Sequence, residues 1–159
     1  MEYRTIDDLK KAGFEGFCSV EKLREGLSGI PAVQGVYMVV YQGGGMPEFL
    51  EVGTGGLFKG KNPNVAVSEL KSNWVDGTCV VYIGKATTLS KRISQYLKFG
   101  NGKSIGHWGG RLIWQIKDSK DLQICWKPVD ADPREEEMRL IADFKRQYGG
   151  KRPFANLQD

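Results

Sequence analysis

"VVYIGKATTLSKRISQYL", residues 80–97, runs from an apolar, β-branched stretch through a glycine into a basic stretch with helical periodicity. The first part, extended back to Cys79, reads as a buried strand over 79–84, and Thr88 opens a helix that continues to about Phe99. At about 100° per residue, Leu89, Ile93, Tyr96 and Leu97 share one apolar face, while Lys91 and Lys98 point away from it. Arg92 falls on the flank, one turn from both Leu89 and Tyr96, which buries its stem and aims its guanidinium along the sheet edge. On this helix alone, an arginine that reaches past the core to water is a sufficient explanation. A packing helix does not need a tyrosine, a glycine, a lysine and then an arginine at its entrance.

Working outward, "GVYMVVY" at 35–41 is a second buried strand, broken by "QGGGMP". Thr5 with Asp8 starts a helix over 6–12 that ends at Gly13, and Ser19 caps another through Arg24, closed by Gly26. Residues 1–29 are therefore expected to form a helical extension. Between the two strands, 43–78 holds a possible strand "EFLEV", a Gly/Lys loop and a short helix around "VSELKSNW". "RLIWQI" (111–116) and "LQICWKPV" (122–129) flank "KDSKD", so one is expected to be a strand and the other its hairpin partner. A last helix spans Pro133 to Tyr148, and "KRPFANLQD" is an irregular tail. The pattern predicts a small α+β domain whose mostly antiparallel, three-stranded sheet is flanked by helices, with 43–78 as an insertion.

Composition narrows the function classes. At 159 residues with 40% apolar and 26% charged side chains, the chain is expected to be one soluble globular domain. It has no apolar run of the ~20 residues a membrane span needs and opens on "MEYRTIDDLKK", so a cytoplasmic protein is expected. Three scattered cysteines (Cys18, Cys79, Cys125) suggest reduced thiols. His107 is the only histidine, which excludes multi-histidine metal sites. "GTGGLFKGK" (53–61) has glycines and lysines, but not at phosphate-loop spacing, and no apolar helix follows it. A net charge of +4 permits an anionic partner without requiring one.

The last helix carries the second anomaly. Asp132-Pro133 is a cap followed by proline, and Glu135 stands where a capping acid belongs. Glu137 has no such explanation. Ile141, Phe144 and Tyr148 follow it at i+4, i+7 and i+11, which puts a carboxylate on the apolar face. Such a group must be neutralised, ion-paired (with Arg92, for instance) or bound to a cation.

These parts in this order resemble the GIY-YIG nuclease family over residues 30–157. "GVY" (Gly35-Val36-Tyr37) matches the first motif and "YIG" (Tyr82-Ile83-Gly84) the second, followed by Lys85 and the helix-borne Arg92. "EMRLI" matches the acidic motif at Glu137, and "PFAN" the closing motif at Asn156. Tyr37 and Tyr82 stand 45 residues apart, whereas the family joins these strands by a short connection. The resemblance implies a metal-dependent endonuclease that hydrolyses phosphodiester bonds in DNA, with RNA the other candidate polymer. It implies that Glu137 holds one Mg²⁺ or Mn²⁺, that Arg92 braces the scissile phosphate, and that Tyr37 or Tyr82 acts as general base or orients the water. Lys85 would supply the positive charge that such a phenol needs, and Asn156 would position the tail or a tyrosine. His107 is either a further functional residue or an ordinary loop histidine. The tryptophans (Trp74, Trp108, Trp114, Trp126) belong to the core or to a base-stacking platform. Two other readings use the same fold: a nucleic-acid-binding module without catalysis, and a protein-binding domain.

Overall fold

Residues 35–40 alternate strictly between two interiors, and that alternation organises the molecule. The computed structural model describes residues 1–27, 29–57, 59–105 and 108–159. In chain order the elements are α1 (Ile6–Lys11), β1 (Glu15–Ser19), α2 (Val20–Glu25), β2 (Gly35–Val40), α3 (Val67–Asn73), β3 (Val80–Ala86), α4 (Leu89–Gly100), β4 (Gln123–Pro128) and α5 (Pro133–Gln147). Two 3₁₀ turns, Arg111–Gln115 and Ser119–Asp121, precede β4. The sheet has the order β1-β4-β2-β3, with every neighbouring pair antiparallel. Val36, Met38 and Val40 of β2 face a core shared with Leu9 of α1 and with Leu140, Ile141 and Phe144 of α5. Tyr37 and Val39 face the opposite core, built with Leu89, Ile93, Tyr96 and Leu97 of α4 and with Trp114. The helix faces read from periodicity are the faces that are buried.

The sheet has four strands, not three, because residues 1–29 are not only helical. Two features hide β1 from its sequence. Gly16 and Phe17 both have positive φ (99° and 55°), so "EGFCS" resembles a turn, and the register slips between Gly16 and Cys18. The Trp126 ring covers Gly16 where a Cβ would stand 2.6 Å from it, so only glycine fits. The cap readings hold at Thr5, Ser19 and Asp132, whereas Glu135 is exposed and the capping box expected of it is not seen among the described residues. Thr5 and Asp8 form a reciprocal capping box, Ser19 accepts from Lys22 N, and Asp132 accepts from Arg134 N ahead of Pro133.

"RLIWQI" is not a strand. It begins at Gly110, with φ 72°, and tightens into a 3₁₀ turn whose Leu112, Ile113, Trp114 and Gln115 are all buried. An apolar run buried on all sides has no period to read. β4 therefore pairs with β1 and β2. Within 43–78 the expected "EFLEV" strand reduces to one bridge, Phe49 to Ile116, whereas α3 forms at the expected place. Gln115 fastens this segment to the core: its Nε2 donates to Leu50 O (3.1 Å) and Val65 O (2.9 Å), and its Oε1 accepts from Val65 N (3.0 Å). Although Tyr37 and Tyr82 stand 45 residues apart in sequence, β2 and β3 are adjacent, with Tyr37 opposite Gly84.

Candidate active site

β2 and β3 bring the two tyrosines together. Tyr37 pairs with Gly84 and Val39 with Tyr82 in unbroken antiparallel register, so Tyr82 stands on the same face as Tyr37, in the α4-side core, and the bulge of β3 at Val81 lies beyond them. The rings are 6.0 Å apart, edge to face. Gly84 is a glycine for a local reason. A Cβ there would stand 2.5 Å from Tyr37 Cζ and 2.7 Å from its Oη, so the Tyr37 ring lies flat across the YIG backbone. The order of residues in "YIGK" thus has a packing cause: the tyrosine of one strand crosses the glycine of the other.

A third tyrosine completes the cluster. Tyr96 of α4 lies 6.2 Å from Tyr37 and 5.6 Å from Tyr82 by ring centroid, and its hydroxyl donates to Gly110 O at 2.6 Å. The sequence presents Tyr96 only as an apolar-face residue; its position one turn after Arg92 is the signal that could have marked it. Burial raises all three phenols. Tyr82 is pushed up to about 12, with Glu137 adding to the rise, and Tyr37 and Tyr96 lie well above their ordinary value. The cation that opposes this for all three is Arg92, whose charge also acts on Glu137. Arg92 is half-buried on α4, with its guanidinium 3.5 Å from Gln95 Oε1.

Lys85 acts elsewhere than expected. Its ammonium, on the exposed side of β3, pairs with Glu137 Oε1 at 3.4 Å, so its charge serves the acid and not a phenol. Glu137 meets β3 because α5 packs across that strand, and its side chain is only 13% exposed. Burial holds the Glu137 carboxyl above its ordinary range, against the lowering effect of Lys85, Arg134 and Arg92. Its neighbours differ. Glu135 is exposed, and Glu136 is bound by the Arg139 guanidinium through both carboxylate oxygens.

Asn156 is brought to the same strand from the far end of the chain. Its Oδ1 accepts from Ile83 N and its Nδ2 donates to Ile83 O, both at 2.9 Å, while Ala155 N donates to Val81 O at 2.8 Å. The side-chain amide thereby acts as one residue of an extra strand on the free edge of β3, between Tyr82 and Gly84. That makes it a positioning residue for the tyrosine strand. His107 lies outside the described residues. Trp74, Trp114 and Trp126 are core residues, and Trp108 is half-buried under the Arg111 guanidinium, 4.4 Å from its ring centroid.

The donor set at this corner is one carboxylate; among the described residues no three His, Cys, Asp or Glu stand together. That set fits a hard cation that keeps most of its waters, and it does not fit a zinc cage. The carboxylate is desolvated, and the lysine it pairs with is exposed, so water can take over that lysine. Among the described residues no helix is long and apolar enough to cross a membrane. No family model matches the chain, and neither does any curated protein or solved structure.

Proposed function

We propose that the chain is a divalent-metal-dependent endonuclease of the GIY-YIG type, hydrolysing phosphodiester bonds in DNA at the corner formed by β2, β3, α4 and the first turns of α5. The observation that carries this reading is the convergence of Tyr37, Tyr82, Arg92 and Glu137, drawn from four elements, with mutual electrostatic influence and without a packing need for the acid. Phosphodiester hydrolysis adds water across a P–O bond and develops negative charge on the phosphoryl oxygens. Arg92 supplies a planar, permanently charged donor for two of those oxygens. Glu137 would hold Mg²⁺ or Mn²⁺, which, when bound, neutralises phosphate charge and acidifies a coordinated water. Tyr37 and Tyr82, with phenols held protonated by burial, donate hydrogen bonds that orient the water and the phosphate. Either becomes a base only where added positive charge reverses that shift. Gly84 lets Tyr37 lie against the strand, and Asn156 holds the edge of that strand in place.

One observation favours a second reading. The Lys85–Glu137 pair gives the acid a partner within the chain, as expected of a nucleic-acid-binding module in which the corner is structural. A nicking assay on supercoiled and branched DNA separates the two. The nuclease reading expects relaxation with Mg²⁺ or Mn²⁺ and none in EDTA; DNA binding without nicking under either metal would leave only the module.

A further inference from the structure

The chain's charge is not evenly spread along its length. Residues 77–117 contain no Asp or Glu and seven basic residues, and 52–68 contain no Asp or Glu and two more. These nine of the 23 basic residues leave 14 to face all 19 acids elsewhere, so the remainder of the chain is net negative and the positive charge belongs to two segments. The segments are joined in space. Gly56 N donates to Phe99 O at 2.8 Å, the Ser104 hydroxyl donates to Leu57 O, and Thr54 N donates to Trp114 O at 3.1 Å. Gly55 packs on the Phe99 ring, and Gly56 lies so close to the Lys103 carbonyl that no Cβ fits there. The base of the 53–61 loop is therefore fastened to the C-terminal end of α4, while Leu57, Lys59 and Lys61 are exposed beyond it. α4 links this loop to the tyrosine corner: Arg92 lies in its first turn, Lys91 and Lys98 are on its exposed side, and Lys103 follows its end. Acids border the row without entering its sequence, with Glu51 before the loop, Glu69 after it and Asp76 and Asp118 at the ends of the longer segment. Within the longer segment, Lys117 pairs with Glu48 and Lys85 with Glu137.

We propose that the 53–61 loop is a backbone-binding arm for duplex DNA, which extends the phosphate track of Arg92, Lys91 and Lys98 along α4 to Lys103, Lys59 and Lys61. The proposal deepens the nuclease reading and rests on it for the identity of the polymer. The spacing suits a phosphate backbone. α4 is about 18 Å long at 1.5 Å per residue, and a duplex advances about 3.4 Å per base pair, so the arm meets DNA roughly five base pairs from the corner. Lysines on a glycine-containing loop bind such a backbone as point charges and read no sequence. The 43–78 segment thereby has a task that packing does not explain, since α3 and Gln115 already secure it.

The test is the salt dependence of duplex binding, followed by fluorescence anisotropy with a 20-base-pair probe in EDTA. Removing one lysine–phosphate pairing lowers the slope of log K against log salt by about 0.9. Replacing Lys59, Lys61 and Lys103 together by Gln should lower that slope by roughly 2–3 and weaken binding at least about tenfold near physiological salt. A matched triple replacement of Lys10, Lys11 and Lys120 by Gln removes the same charge from elsewhere and should leave the slope within about 0.5 of the parent. Equal slope changes in both variants, or no duplex binding by the parent chain, would overturn the arm, as would binding to anionic vesicles in its place. Because binding is read without cleavage, the two readings fail separately. A reduced slope in a chain that never nicks DNA keeps the arm and removes the nuclease. Metal-dependent nicking with an unchanged slope does the opposite.

Discussion

Glu137 and Asp143 lie six residues apart on α5, with side chains 13% and 15% exposed, yet the protein treats them oppositely. Burial pushes both upward, and more strongly at Glu137, around which more of the chain is packed, than at Asp143. At Asp143 the hydrogen bonds from Tyr3 (3.0 Å) and Arg146 (2.8 Å), together with the Met1 amino group at 3.4 Å, outweigh it and hold the carboxyl below its ordinary value. At Glu137 the 3.4 Å approach of an exposed lysine does not, and the carboxyl stays above its ordinary value. The tyrosines follow the same division. The one hydroxyl proton of Tyr3 lies between Asp143 Oδ2 and Leu140 O, a structural pairing, whereas Tyr82 shares its field with Glu137 without a hydrogen bond to it. Side-chain exposure alone therefore does not separate the two acids; the depth of packing and the number of donors around each carboxylate do.

The largest expected effect separates the two acids by activity. Glu137→Gln should lower metal-dependent nicking by at least about a hundredfold, the scale of losing one preorganised electrostatic element, with duplex binding retained. Glu135→Gln and Glu136→Gln are the controls, and single-turnover nicking of supercoiled plasmid is the readout. Equal losses in all three would mean a general charge effect. Full activity in Glu137→Gln would break the contrast between the acids outright.

Asp143→Ala should act on stability instead. Removing an acceptor that serves Tyr3, Arg146 and the Met1 amino group leaves the buried Tyr3 hydroxyl with Leu140 O alone and should cost about 1–3 kcal/mol in urea unfolding. Nicking measured well below the melting temperature should be unaffected. A stability loss confined to Glu137→Gln, with Asp143→Ala silent, would reverse the assignment.

The smallest effect is the pH dependence, and its sign differs between the acids. Asp143, lowered from its ordinary 3.8, contributes stability that is present above that value and is lost as pH falls through the still lower folded value. Glu137, raised from its ordinary 4.5, makes the chain less stable as pH climbs through the folded value. In thermal melts at pH 7 without metal, Glu137→Gln should therefore melt slightly above the parent, by at most about 3 °C, and Asp143→Asn below it. The Glu137 difference should vanish as pH falls to its ordinary 4.5 and below, whereas the Asp143 difference should shrink only below 3.8. Added Mg²⁺ should raise the melting temperature of the parent but not that of Glu137→Gln. Differences of the same sign at pH 7 would show that the two carboxylates are not treated differently.

Much of this molecule could be read locally. The capping box at Thr5, the Ser19 and Asp132 caps, the α4 face and the tyrosine strands depend on hydrogen bonds and periodicities that span a few residues, so the sequence alone determined them. It also isolated Glu137, because a carboxylate one turn before Ile141 breaks a pattern that neighbours on the helix can reveal. Only the tertiary structure decided the rest. β1 is a strand because β4 and the Trp126 ring accept its left-handed bulge, although Gly16 favours a turn and Phe17 takes a positive φ that side-chain-bearing residues rarely adopt. Residues 111–115 coil because Gln115 must meet backbone groups 50 to 65 residues away, a demand invisible in an unbroken apolar run. Lys85 serves Glu137, and Asn156 closes the edge of β3, across 52 and 73 residues. Pairings at that range leave no period in the sequence, since which charge meets which is fixed only when sheet and helix have packed.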